Sequence, residues 1–155
     1  MNTQNKLSGK KVAILATDGF EQSELESPRE ALLTAGAKVD VISLQSGSIK
    51  GWSGKNWADE VRVDKTLEEV DAADYDGLVL PGGLINPDTL RQDKQAIRFI
   101  QGFFSDSANK PVAAICHGPW LLAEAGVLQG RKVTSYASIQ TDLKNAGAQW
   151  VDEDV

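Results

Sequence analysis

The sequence predicts an α/β fold, a three-layer sandwich around a mostly parallel central sheet. Two observations carry this. Short apolar runs of strand length recur at residues 11–16 (K-V-A-I-L-A), 76–80 (D-G-L-V-L) and 112–115 (V-A-A-I), and segments of helical periodicity separate them. A length of 155 residues with 41% apolar content suits one compact domain, residues 1–155, with a substantial core.

Taken in order, residues 11–16 read as a central strand, followed by a polar turn and a helical pattern through Leu25, Leu32 and Leu33 that ends at Gly36. Pro28 marks a start or a break within that pattern. Residues 38–44 are a second strand. Residues 47–63, rich in Gly, Ser and Trp with alternation at Val61 and Val63, predict a hairpin excursion. After the strand at 76–80, Asn86-Pro87-Asp88 reads as a cap and first turn, and residues 96–104 continue a helix with Ile97, Ile100, Phe103 and Phe104 at apolar positions. Residues 112–115 are expected to be a buried strand, and Gly118-Pro119 opens the next helix. A short strand at 133–136, a helix at 138–146 and an extended piece at 149–151 follow. No internal repeat, interdomain linker or low-complexity segment interrupts the pattern.

Composition narrows the partners. A net charge of −6 offers no basic footprint for nucleic acid or an anionic membrane. No apolar stretch approaches the roughly 18–20 residues of a spanning helix, and the opening M-N-T-Q-N-K-L-S-G-K-K lacks the apolar core of a signal peptide, so a cytoplasmic protein is expected. One cysteine cannot form an internal disulfide. One cysteine and one histidine give no metal-ligand spacing, and neither metal nor cofactor is expected.

The only cysteine, Cys116, lies directly beside the only histidine, His117, where an apolar strand turns into a helix. A nucleophile at such an elbow points away from the sheet, often in strained backbone, and the helix N-terminus behind it favours the thiolate, which predicts a thiol pKa below the usual value of about 8.5. The alternative is an inert buried cysteine beside a packing histidine. In a parallel α/β sheet, ligands gather at the carboxyl ends of the strands. Residues 18–24, 81–88 and 116–118 each follow a central strand and so are expected to meet there. Pro81-Gly82-Gly83 supplies backbone without side chains, which makes the N–H groups of Gly83 and His117 candidates for an oxyanion hole, although a Gly-Gly pair also serves as a plain turn.

A-I-C-H-G-P, together with D-G-F-E-Q-S-E-L, L-V-L-P-G-G, R-K-V-T-S-Y and N-A-G-A-Q-W-V-D in that order, resembles the ThiJ/PfpI family. The resemblance implies a flavodoxin-like sheet of the class I glutamine amidotransferase type. It implies Cys116 as nucleophile, His117 as its partner, and Glu21 as the acid that shares a proton with the sulfur; a solvated first-turn glutamate is the other reading of Glu21. Glu24 is placed to line the pocket or to sit in solvent, and Gly118 joins Gly82 and Gly83 as a candidate for the oxyanion and substrate-binding site. Asp88, in N-P-D-T-L-R, matches the position whose carboxylate reaches the histidine of a neighbouring subunit, which implies a homo-oligomer; the alternative is a first-turn aspartate stabilised by the helix dipole. Leu84-Ile85-Asn86 lengthens this loop relative to some members. Members normally continue past the point matching Val155 with a strand and a closing helix, and a chain without them is expected to expose a sheet edge.

Three activities follow from that resemblance. The first is cofactor-free chemistry on reactive dicarbonyls or glycated proteins, with Cys116 adding to the carbonyl carbon. The second is a cysteine peptidase, and the third an oxidative sensor or chaperone in which the thiol becomes a sulfinate. A glutamine amidotransferase triad is not expected, because it requires a histidine downstream of the elbow and none follows His117 in this sequence.

Overall fold

The computed structural model describes residues 5–105 and 107–154. The expectation of no signal peptide concerns in part residues 1–4, which lie outside the described residues. Strand β1 (Lys11–Leu15) leads into the two-residue β2 (Phe20–Glu21), helix α1 (Gln22–Thr34) and β3 (Lys38–Ser43). The hairpin β4 (Ser48–Ser53) and β5 (Asn56–Arg62) follows, then β6 (Lys65–Thr66), two 3-10 turns and β7 (Gly77–Leu80). Helices α2 (Ile85–Leu90) and α3 (Lys94–Gln101) precede β8 (Val112–Ala114) and α4 (Pro119–Glu124). Strand β9 (Lys132–Val133), helix α5 (Gln140–Asn145) and β10 (Gln149–Trp150) complete the described chain.

The central sheet has the order β6-β3-β1-β7-β8, and every pairing in it is parallel. Its strands alternate as the pleat requires. Ala13 and Leu15 face one core cluster with Leu78, Leu80, Phe99, Phe103 and Leu121, while Val12 and Ile14 face the other with Leu25, Val41, Ile49 and Val61. Helices α2 to α5 therefore cover one face. Helix α1 and a small sheet of order β2-β4-β5 cover the other, giving the three layers of a flavodoxin-like α/β sandwich. Among the described residues no helix is long and apolar enough to cross a membrane.

Three local expectations are corrected. Pro28 neither starts nor ends α1 but lies inside it, where its missing N–H leaves the Glu24 carbonyl without a helical partner. The helix expected to run on from Asn86 is two helices, because Asp93 accepts N–H bonds from Gln95 at 2.8 Å and Ala96 at 2.9 Å and so caps a new start. Strand β8 is not fully buried: it pairs only with β7 at the sheet edge, and Ala113 is exposed. Ile115, just beyond it, is 47% exposed.

Candidate functional site

Strands β7 and β8 are neighbours and β1 lies beside β7, so the loops leaving their carboxyl ends converge. Cys116 sits at the end of β8 with φ of 59°, the left-handed region that a non-glycine residue enters only under constraint. This backbone turn brings adjacent side chains together. The sulfur lies 3.2 Å from His117 Nδ1, a contact that successive residues in an extended strand do not make.

The elbow is tied down on both sides. The Gly118 N–H donates to the Ile115 carbonyl at 2.8 Å, and a Cβ on Gly118 would stand 2.5 Å from the Leu80 carbonyl oxygen. Gly118 thus lets the elbow lie against β7, and it lines neither cavity that reaches the thiol. On the other side the Tyr136 N–H donates to the Cys116 carbonyl at 2.8 Å.

Two glycines fit the loop after β7 to the sulfur. A Cβ on Gly82 would fall 2.6 Å from both Cys116 Cβ and Glu24 Oε2, so only glycine lets these groups close around it. The Gly82 N–H donates to Glu24 Oε2 at 2.8 Å. Gly83, at φ of 75°, lines one cavity with Cys116 and His117, and the backbone N–H groups of Gly83 and His117 favour the thiolate. The two residues expected from the sequence to supply backbone donors thus stand beside Cys116 on one cavity wall.

The carboxyl that closes around Gly82 with Cys116 is Glu24, where the sequence leads one to expect Glu21. Helix α1 begins at Gln22, so Glu24 lies within its first turn and reaches back over Gly82 toward Cys116, with which it lines one cavity. Burial raises the Glu24 pKa, the Gly82 N–H opposes that rise, and the charge of Glu21 adds to it. Glu21 itself is the N-cap residue of α1 and lines a separate cavity with Cys116 and His117.

The expected depression of the Cys116 pKa is also corrected. Burial and then the Glu24 charge push the thiol above its ordinary range, and the Gly83 and His117 N–H groups offset only part of this. The helix behind the elbow, α4, has six residues. The coupling is one-sided: the Glu24 charge opposes the thiolate, whereas the thiol favours the Glu24 carboxylate.

His117 is held within its own chain by groups that the sequence did not single out. Its ring stacks on Tyr136 at 4.9 Å and meets Trp120 edge-on at 5.1 Å. Its Nε2 lies 3.2 Å from Ser138 Oγ. Burial lowers its pKa, which favours neutral imidazole. Asp88 is exposed on α2, and its carboxylate makes no hydrogen bond to His117 among the described residues.

Asn86 is a further residue that sequence reasoning misplaced. It is not a helix cap but a fully buried brace: its Oδ1 accepts from the Thr17 N–H at 2.8 Å, and its Nδ2 donates to the carbonyls of Pro81 at 2.9 Å and Gly82 at 3.0 Å. One side chain thus joins the loops after β1 and β7 and fixes the peptide that precedes Gly83. An Asn before Pro in a glycine-rich loop reads as a turn signal, and only its burial reveals the brace.

Two cavities open at the sulfur. One, of about 600 Å³, runs past Glu24, Pro28, Ala114, Ser135 and Tyr136; the other, of about 410 Å³, is lined by Glu21, Trp52, Gly83, Leu84, Ile85 and His117. The model of the DJ-1/PfpI family matches residues 10–155. The chain belongs to that family. General stress protein 18 of Bacillus subtilis is 45% identical over 147 residues, 95% of this chain and 83% of that protein. A protein named deglycase from Thermococcus kodakarensis is 46% identical over 145 residues, 94% of this chain and 83% of that protein. Among solved structures, a two-domain protein of Anabaena variabilis with DJ-1/ThiJ/PfpI-like and ferritin-like domains is 36% identical, with a TM-score of 0.84 over 93% of this chain and 40% of that one. Relatives of this kind are named for enzyme activity, which supports an enzyme here.

Proposed function

We propose that this chain is a cofactor-independent deglycase in which Cys116 is the nucleophile and Glu24 the proton carrier. The observation that carries it is the convergence of Cys116 and the half-buried Glu24 carboxyl across Gly82, on the wall of one cavity, with His117 Nδ1 3.2 Å from the sulfur. In a methylglyoxal adduct, R–NH–CH(OH)–CO–CH3, the sulfur attacks the carbinol carbon while its proton passes to Glu24. The C–N bond breaks, the C–S bond forms, and Glu24 returns the proton to the leaving amine. The resulting hemithioacetal moves its carbinol hydrogen, as a proton, to the neighbouring carbon through Glu24, which leaves a lactoyl thioester. Water then adds and the C–S bond breaks, releasing lactate and restoring the thiol. The sum is adduct plus water giving amine plus lactic acid, with no external redox partner. Oxygens attached one carbon from sulfur lie beside the Gly83 and His117 donors, which favours the charged intermediates. A thiol held protonated by burial is compatible with this route because the proton it must lose has an acceptor in Glu24.

Peptide cleavage is less well supported. It requires an acid to orient His117, and the Nε2 of His117 faces the Ser138 hydroxyl instead. Exposed Asp88 remains available only to a neighbouring copy, so the homo-oligomer belongs to that reading. The test is lactate release from methylglyoxal-treated N-acetylarginine, N-acetyllysine and N-acetylcysteine, run beside a fluorogenic peptide. Lactate release that disappears in Cys116→Ser and falls at least a hundredfold in Glu24→Gln supports the proposal. Peptide cleavage without lactate release overturns it.

A further inference from the structure

Glu21 carries a charge that the proposed chemistry does not use. It is the register partner of Trp52 in the parallel pair of β2 and β4, so the two residues stand side by side on the wall of the 410 Å³ cavity that ends at Cys116 and His117. The indole is fixed in place. Its Nε1–H donates to the Gly54 carbonyl at 3.1 Å, and its ring meets Trp57 edge to face at 5.3 Å and 79°. Among the described residues no Lys, Arg or His forms an ion pair with Glu21. Its charge reaches Glu24, which it helps to raise. A carboxylate without a counter-charge next to an anchored indole, on a wall leading to the nucleophile, is the chemistry that selects a delocalised cation.

We propose that this cavity receives the guanidinium of an arginine bearing a dicarbonyl adduct, with Glu21 and Trp52 as specificity-determining residues. The inference rests on the deglycase reading and adds the substrate class that the site prefers. An adducted arginine keeps its positive charge close to the carbinol carbon under attack, whereas the hemithioacetal formed on cysteine is neutral. The guanidinium plane can lie on the Trp52 face and pair with Glu21, while the attached carbinol carbon points at the sulfur. A neutral adduct gains nothing from either group.

The experiment compares kcat and KM for methylglyoxal adducts of N-acetylarginine amide and N-acetylcysteine in the full chain, Glu21→Gln, Trp52→Leu and Trp52→Phe. Glu21→Gln and Trp52→Leu are expected to raise KM for the arginine adduct about tenfold, a loss at least fivefold greater than on the cysteine adduct, and Trp52→Phe to recover part of it. Equal losses on both adducts, or none on either, overturn the proposal. A second arm does not depend on turnover: Cys116→Ser is titrated with N-acetylarginine amide by calorimetry at low and at 0.5 M salt, roughly a 4 Å Debye length. Millimolar binding that weakens with salt and is lost in Glu21→Gln supports the subsite even if no adduct is processed, an outcome that would refute the deglycase reading alone. Absence of binding overturns the subsite even if lactate is released.

Discussion

Replacing Asn86 with alanine tests whether one buried amide holds the loop that faces the nucleophile. The side chain is 0% exposed and makes three hydrogen bonds, to the Thr17 N–H and to the Pro81 and Gly82 carbonyls, at 2.8, 2.9 and 3.0 Å. Alanine leaves one N–H and two carbonyls without this partner. A buried group stranded in this way costs about 1–3 kcal/mol, and the vacated volume adds a smaller penalty. The hole is about the size of a water molecule, and water entry would satisfy part of the loss, so the three contributions do not add in full. The expected loss is about 3–5 kcal/mol, a large share of the ~5–15 kcal/mol that holds an ordinary domain folded. For a chain of 155 residues this is a fall in Tm of about 6–20 °C.

Urea unfolding followed by tryptophan fluorescence reads the stability, provided the slope with denaturant is unchanged. A loss below about 1 kcal/mol refutes the reasoning, because three good bonds to a buried side chain cannot then be the brace. A second reading separates bracing from mere stability. The Gly83 N–H lowers the Cys116 pKa, and its peptide follows the carbonyl that Asn86 anchors. At a temperature where the variant is folded, iodoacetamide should therefore label Cys116 more slowly at pH 8 than in the parent. Unchanged labelling would confine Asn86 to a structural role.

Glu24→Gln removes a charge that raises the thiol pKa, so the iodoacetamide pH profile should move to lower pH even as turnover falls; a profile that stays or moves upward contradicts the pairing. Cys116→Gly should be more stable than Cys116→Ala by about 1 kcal/mol, since alanine keeps the penalty of a left-handed backbone at φ of 59° and glycine does not; equal unfolding midpoints would show that the elbow is unstrained. Gly83→Ala combines φ of 75° with a Cβ only 2.3 Å from the Gly19 carbonyl oxygen, which forces the backbone to move; circular dichroism and urea melts should show a loss of more than about 2 kcal/mol, and a smaller one would mean that the two loops separate freely.

Much of this site is legible in the sequence because it follows from topology. Apolar runs in strands β1, β7 and β8 imply a parallel sheet, a parallel sheet gathers its loops at one edge, and the elbow at Cys116 needs only a strand, a Gly-Pro and a helix to be recognised. What sequence could not resolve is which of two carboxyls, three residues apart, faces the sulfur. That depends on where α1 begins. Glu21 ends a two-residue strand whose partner is Trp52, so it belongs to the hairpin side; Glu24 lies inside the first helical turn and returns to the loop after β7. A shift of the helix start by a residue or two would exchange them, and the polar turn from Thr17 to Gly19 carries no periodic signal to fix it. The thiol pKa runs opposite to the sequence expectation for a related reason: the helix end is visible in sequence, but the burial and the neighbouring carboxyl that outweigh it are tertiary. The two corrections support one another. Because Glu24 is the group at the sulfur, Glu21 is left facing the other cavity with Trp52, and a family motif that reads as one acid and one spare resolves into a proton carrier on one side of the nucleophile and a candidate cation anchor on the other.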